Sequence, residues 1–185
     1  DRMLDMGFLP DVKKIHSKIS KNSQAMLFSA TMPKEIQHLT QSFLKDPVKI
    51  EVAPPSTTVE KIDQRVLFVD RENKAALLQS MLEDSTIEKA LIFSRTKHGA
   101  NKIVKNLTKS KIKVDAIHGN KSQSARIDAL NKFKTGKVRV LVATDIASRG
   151  IDVDGITHVI NYELPNEPES YVHRIGRTAR AGATG

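Results

Sequence analysis

The most arginine-dense stretch of the chain is His173-Arg174-Ile175-Gly176-Arg177-Thr178-Ala179-Arg180, with three guanidinium groups in seven residues. On a helix-like turn, spacings of four and three bring His173, Arg177 and Arg180 to one side. Like charges held together repel one another unless an anion meets them, and planar guanidinium forks suit phosphate oxygens. A triphosphate would satisfy them; a solvated basic turn, or ion pairs with Glu167 and Glu169, would account for the same residues. Gly150-Ile151-Asp152 adds a carboxylate that can accept hydrogen bonds from ribose hydroxyls, although a plain turn uses an aspartate equally well.

A second group is polar without being strongly charged. Ser94-Arg95-Thr96, His118-Gly119 and Thr144-Asp145 each follow a short apolar run. In open parallel sheets, ligands gather beyond the carboxyl ends of the strands, where loop amides and helix N-termini converge. These residues would line one rim able to hold a phosphate backbone. Gln123 and Arg126, three apart at the start of a helix, can face the same ligand. Each residue alone is explained by helix capping or by solvation, so the reading rests on several coinciding along one edge.

Such a rim needs a parallel sheet. Apolar runs at 64–69, 90–93, 114–117, 138–143 and 158–161 alternate mostly with helical stretches, which predicts α/β architecture with helices flanking a parallel sheet. Ser122 to Lys134 reads as a helix with Ala125, Ala129 and Phe133 on one face and Gly136 as its stop. The first fifty residues read as helix, strand, helix, strand. Val12, Ile15 and Ile19 share a face, strands are expected at 24–28 and 48–52, and a second helix is expected to begin at Pro33. Ala53-Pro54-Pro55-Ser56-Thr57-Thr58 breaks regular structure, so we expect domains at 1–51 and 59–185 joined by a linker over 52–58. Both ends read as cut, with sheet expected to be missing at each.

The chain has 185 residues, 39% of them hydrophobic, and a formal net charge of +9. Residues 59–185 hold 22 basic and 15 acidic side chains against 8 and 6 in residues 1–51, so the excess lies in the second part. That balance favours a polyanionic partner. The apolar runs are strand-sized and no signal peptide is legible, which makes a cytoplasmic location the expectation. The absence of cysteine excludes disulfides and thiolate metal sites, and the six histidines show no paired ligand spacing, so no metal site is expected. No G-x-x-x-x-G-K-[ST] pattern occurs, and no acidic pair follows an apolar strand in the first part to hold Mg2+.

Taken together, the motifs resemble those of the DEAD-box ATP-dependent RNA helicases of superfamily 2, in that family's order. Ser29-Ala30-Thr31 resembles motif III, residues 90–96 motif IV, Gln123 with Arg126 motif IVa, residues 144–152 motif V and residues 173–180 motif VI. The stretches His118-Gly119-Asn120-Lys121-Ser122-Gln123 and Asn161-Tyr162-Glu163-Leu164-Pro165-Asn166 are most similar to the bacterial RhlE-like subgroup. Asp1 resembles the last residue of the DEAD tetrad. Ala179 stands where glycine is commoner in the family, a change expected to be tolerated.

The resemblance implies a RecA-like second domain preceded by the end of a first one. It implies that Arg177 and Arg180 act as arginine fingers on the γ-phosphate of ATP. Gly150 and Asp152 would take the nucleotide, and Thr96, Gly119, Gln123, Arg126 and Thr144 would line an RNA path read through sugar and phosphate. Asp1, Ser29, Thr31 and His173 would couple the two domains. ATP with Mg2+ is the implied cofactor, held mainly by first-domain residues outside this chain, and RNA the implied partner. The parent would be an RNA-stimulated ATPase that unwinds short duplexes. This chain alone is expected to hydrolyse no ATP and to act at most as an RNA-binding module.

Overall fold

The structure is a computed structural model that describes residues 8–20, 22–29, 32, 34–51, 61–148, 151–180 and 183–185. Its contacts divide the chain into two units, Asp1–Pro55 and Ser56–Gly185. The expected linker at 52–58, and Pro33 as a helix start, lie outside the described residues.

In the first unit, α1 (Leu9–His16) carries Pro10 in its first turn, where the missing N–H costs nothing, and α2 spans Lys34–Phe43. His16 joins them: its Nε2 lies 3.1 Å from the Phe43 carbonyl oxygen, and its ring meets the Phe43 ring edge-on at 5.2 Å. The strands expected at 24–28 and 48–52 are not formed over their described residues. A strand exists only with a partner backbone, and here Phe28, Val48 and Ile50 remain more than 80% exposed.

The second unit is built on a four-stranded parallel sheet. Its elements are α3 (Lys74–Glu83), β1 (Ala90–Phe93), α4 (Lys97–Lys109), β2 (Val114–Ile117), α5 (Gln123–Lys134), β3 (Val140–Ala143), α6 (Asp145–Ser148), β4 (His158–Asn161) and α7 (Pro168–Ile175). The strand order is β2-β3-β1-β4. Alternation along the strands feeds two cores. Ala90, Ile92, Val140 and Val142 point to one face and pack with Leu78 and Leu82 of α3 and Ala100, Ile103 and Leu107 of α4. Leu91, Phe93, Leu141 and Ala143 point to the other and pack with Ala129 and Phe133 of α5 and Ala147 of α6. The chain runs β1 to β2 in one direction and β2 to β3 in the other, so right-handed crossovers set α4 and α5 on opposite faces. This is the RecA-like α/β architecture expected from the sequence.

Two local details follow directly from residue chemistry. Ser122 caps α5 by accepting from the Ala125 amide at 3.3 Å, and Gly136, at φ +74°, supplies the left-handed residue after the helix end. Arg139 closes the other core by donating to the carbonyls of Ile87 (2.8 Å) and Leu82.

The strand expected at 64–69 is a correction. No ladder bond involves it among the described residues, and Phe68 is 97% exposed. Its apolar, β-branched composition satisfies the strand pattern, but Gln64 is held through its side chain, accepting from the Tyr171 hydroxyl at 2.7 Å, and the backbone bonds are made by the adjoining Lys61 and Asp63 with Gly185.

Candidate functional site: a polar rim and an arginine segment

Register builds the rim. Phe93 pairs with Ala143, and Ala143 with Ile117, so the next residues, Ser94, Thr144 and His118, sit side by side at about 4.8 Å per strand. The ladder closes over them: the Ser94 amide donates to Ala143 (3.0 Å) and the Thr144 amide to Ile117 (3.3 Å). Thr96 accepts from the Gly99 amide at 3.0 Å and so N-caps α4. Two of the helices that follow rim loops, α4 and α5, thus begin at this edge with capped N-termini. Gly119 is exposed, and nothing lies within 4 Å of where a side chain would start. Arg126 reaches back to Gln123, Nη1 to Oε1 at 3.2 Å, while its Nε is buried without a partner.

His118 is 3% exposed, with Nε2 2.8 Å from Asn101 Oδ1 and Nδ1 unpaired. Burial first, then the charges of Lys121, Lys97 and His98, push its imidazole below the ordinary histidine range. Lys121 is held by Asp115 at 2.6 Å and Lys97 by Asn120 at 3.0 Å, which leaves the rim basic and structured.

Glu163, just beyond β4, was not singled out from sequence as a site residue. One carboxylate oxygen, Oε2, accepts from the Ser94 hydroxyl at 2.9 Å and the Arg95 amide at 2.8 Å. Burial alone would raise this carboxyl, but those two bonds and the charges of Arg95 and Lys74 outweigh it and hold Glu163 below the usual carboxylate range. The stability that its ionised form contributes is fully present above the unfolded-state pKa and is lost as pH falls through the lower folded value.

Gly99 makes this packing possible. A Cβ there would lie 2.5 Å from Ser94 Oγ and 3.1 Å from Thr96 Oγ1. Because Ser94 is fully buried and bonded to Glu163, it has nowhere to retreat. Gly99→Ala is therefore expected to destabilise the second unit by about 2 kcal/mol despite alanine's better helix propensity. Urea unfolding measures this, and an unchanged or raised midpoint would show that the turn yields freely.

The arginine segment divides in a way its charge density hid. Arg174 is turned inward, 1% exposed. Its Nε and Nη2 donate to Asp145 Oδ1 and Oδ2 at 2.6 and 2.7 Å, and its Nη1 donates to Asn161 Oδ1 at 2.9 Å and to the Glu163 carbonyl at 2.6 Å. Its plane lies 4.8 Å from the Phe93 ring centroid. Arg177 and Arg180 follow α7 in a turn and stay partly exposed. Arg177 donates to the carbonyls of Ile151 (2.9 Å) and His173 (3.3 Å), and Arg180 to the Gly176 carbonyl (3.0 Å) and Asp152 Oδ1 (2.8 Å). The anions facing Arg174 and Arg180 are thus Asp145 and Asp152, from the segment after β3. A cavity of about 220 Å³ opens beside Arg177 and Arg180, lined also by Asp154 and Ile156.

His173 is partly buried and Ser29 exposed. Asp1, Thr31 and Gly150 lie outside the described residues. No cluster of metal-ligating side chains occurs among the described residues, and no helix among them is long and apolar enough to cross a membrane.

A parallel sheet with a polar carboxyl rim and an arginine segment docked against the strand-three loop defines a helicase-type RecA-like domain. Residues 73–182 match the helicase conserved C-terminal domain, and residues 1–39 match the DEAD/DEAH box helicase family. The chain belongs to the DEAD-box RNA helicases. It is 43% identical over all its residues to the DEAD-box ATP-dependent RNA helicase CshA of Geobacillus kaustophilus, covering 40% of that protein. Saccharomyces cerevisiae Dbp5 bound to RNA and ADP BeF3 superposes with a TM-score of 0.86 at 27% identity, over the whole chain and 49% of Dbp5. A DEAD box protein from the hyperthermophile Methanococcus jannaschii is 41% identical with a TM-score of 0.65, over the whole chain and 50% of that protein.

Proposed function

We propose that this chain is the RNA-gripping and arginine-finger portion of an ATP-dependent RNA helicase that couples ATP hydrolysis to local duplex unwinding. The observation that carries the reading is the register that aligns Ser94, Thr144 and His118 on one edge, with two capped helix N-termini beside them. Amide dipoles and hydroxyls there suit a sugar–phosphate backbone and offer little to distinguish bases. Thr96, Gly119, Gln123, Arg126 and Thr144 are the proposed contacts. The relative Dbp5, in its complex, holds RNA and a nucleotide.

Arg177 and Arg180 supply donors for phosphate oxygens, and Asp152, with Gly150, is the proposed ribose contact. The donor set fits a nucleoside triphosphate. Mg2+ is different: the described residues hold no cluster of three or more ligating side chains, and we assign it to the nucleotide and the first-domain residues outside this chain. Asp1, Ser29, Thr31 and His173 are the proposed couplers between domains, divided as 1–51 and 59–185. A nucleotide can favour closure only through contacts made in the closed state, and the two arginines provide them. The proposed location is the cytoplasm.

One sequence fact favours a narrower reading for the chain itself. Its 185 residues contain no triphosphate-cradling glycine loop, so it binds RNA without hydrolysing ATP. A fluorescently labelled oligouridine titrated with the chain tests the binding. Neutralising about four phosphates should lower affinity roughly fiftyfold between about 50 and 200 mM salt. Affinity that ignores salt would remove the rim as a backbone-binding edge.

A further inference from the structure

We propose that Glu163 is a positioning residue for RNA binding, fixing the Ser94–Thr96 turn in the shape that presents Thr96 and the start of α4 to the RNA backbone; the inference rests on the rim reading above. The Ser94 amide makes the last bond of the β1–β3 ladder, to the Ala143 carbonyl at 3.0 Å, and Arg95 lies just beyond it. The Glu163 amide still reaches back to the Phe93 carbonyl at 3.4 Å, which sets its side chain directly over the turn. Oε2 then takes both the Ser94 hydroxyl, which also lies 3.3 Å from the Thr96 carbonyl oxygen, and the Arg95 amide, a donor that would otherwise be left at the end of the strand. Ser94 is fully buried, so its hydroxyl can find no water in exchange. Gly99 lets this arrangement close: a Cβ at that position would collide with Ser94 Oγ at 2.5 Å, the hydroxyl that Oε2 holds.

The carboxylate's second oxygen does less. Oε1 stands 4.0 Å from Arg95 Nε, and Arg95 is about half exposed, so that pair is screened. The positioning therefore resides in the two hydrogen bonds to one oxygen and not in the charge. The same residue's carbonyl accepts from Arg174, which ties the turn to the segment carrying Arg177 and Arg180.

This division makes the inference testable with the chain as it stands. A glutamine amide oxygen can take the place of Oε2 and accept both bonds, whereas alanine accepts neither. Oligouridine affinity is measured by anisotropy for the unaltered chain, Glu163→Gln, Glu163→Ala and Val138→Ala. The last removes core volume at the opposite end of the sheet and serves as a stability control. Thermal midpoints are recorded for all four. We expect Glu163→Ala to bind roughly fivefold or more weakly, Glu163→Gln to recover to within about twofold, and Val138→Ala to bind as the unaltered chain does. In amide spectra, RNA should shift Arg95 and Thr96 in the unaltered chain and in Glu163→Gln.

Equal affinity of Glu163→Ala and the unaltered chain would overturn the inference and leave the rim reading intact. A glutamine variant as weak as the alanine one would also overturn it, by assigning the effect to charge. Should Glu163→Ala fail to fold, the Glu163→Gln affinity and the Arg95 and Thr96 shifts decide. No RNA binding by the unaltered chain would refute the rim reading, and the inference with it.

Discussion

Arg174→Ala is expected to remove about 3 kcal/mol from the stability of the second unit, the range for breaking one side of a buried ion pair. Four donor bonds and the contact with Phe93 disappear together. The Asp145 carboxylate then faces the strand ends without its fork, and the volume of a long side chain is left vacant beneath α7. Arg174→Lys should recover little, because a single ammonium cannot span both oxygens of Asp145 and also reach Asn161. Urea unfolding of the two variants measures this. A loss below about 1 kcal/mol would mean that the pair is solvated and dispensable, as surface pairs are.

Arg177→Ala carries the other large effect, and it falls on chemistry instead of stability. In the full-length enzyme we expect RNA-stimulated turnover to fall by roughly a thousandfold or more, the range assigned to an arginine that meets charge developing on a transferring phosphoryl group. RNA affinity should stay within a few fold, since Arg177 is bonded to Ile151 and His173 and not to the rim. The carbonyl oxygens of Ile151 and His173 that it donates to are neutral acceptors. Arg180, by contrast, must first leave Asp152. Single-turnover hydrolysis separates the step from binding. Turnover within tenfold of the unaltered enzyme would reassign the residue.

The sheet was legible because its strands carry their own boundaries. Val140-Leu141-Val142-Ala143 is apolar on both faces and ends at Thr144, as a buried parallel strand should. Ser122 and Gly136 marked α5 through residue chemistry that acts within four positions. The same local logic failed at 64–69, where composition satisfied the pattern but pairing depends on a backbone distant in sequence. It failed again at Arg174. Charge density grouped it with Arg177 and Arg180, yet its partner Asp145 lies 29 residues away, and only the fold brings them together. Glu163 was passed over for the same reason, with its serine and arginine partners 69 and 68 residues distant.

Between the two proposed fingers, Ala179 sits at φ +53°, a left-handed geometry that L-residues with a Cβ enter at a cost of about 1 kcal/mol, whereas glycine adopts it freely. The family's usual glycine would rest there at ease; the methyl group makes the peptide a cocked joint. In this chain the backbone beside Arg180 therefore carries strain that a glycine there would remove.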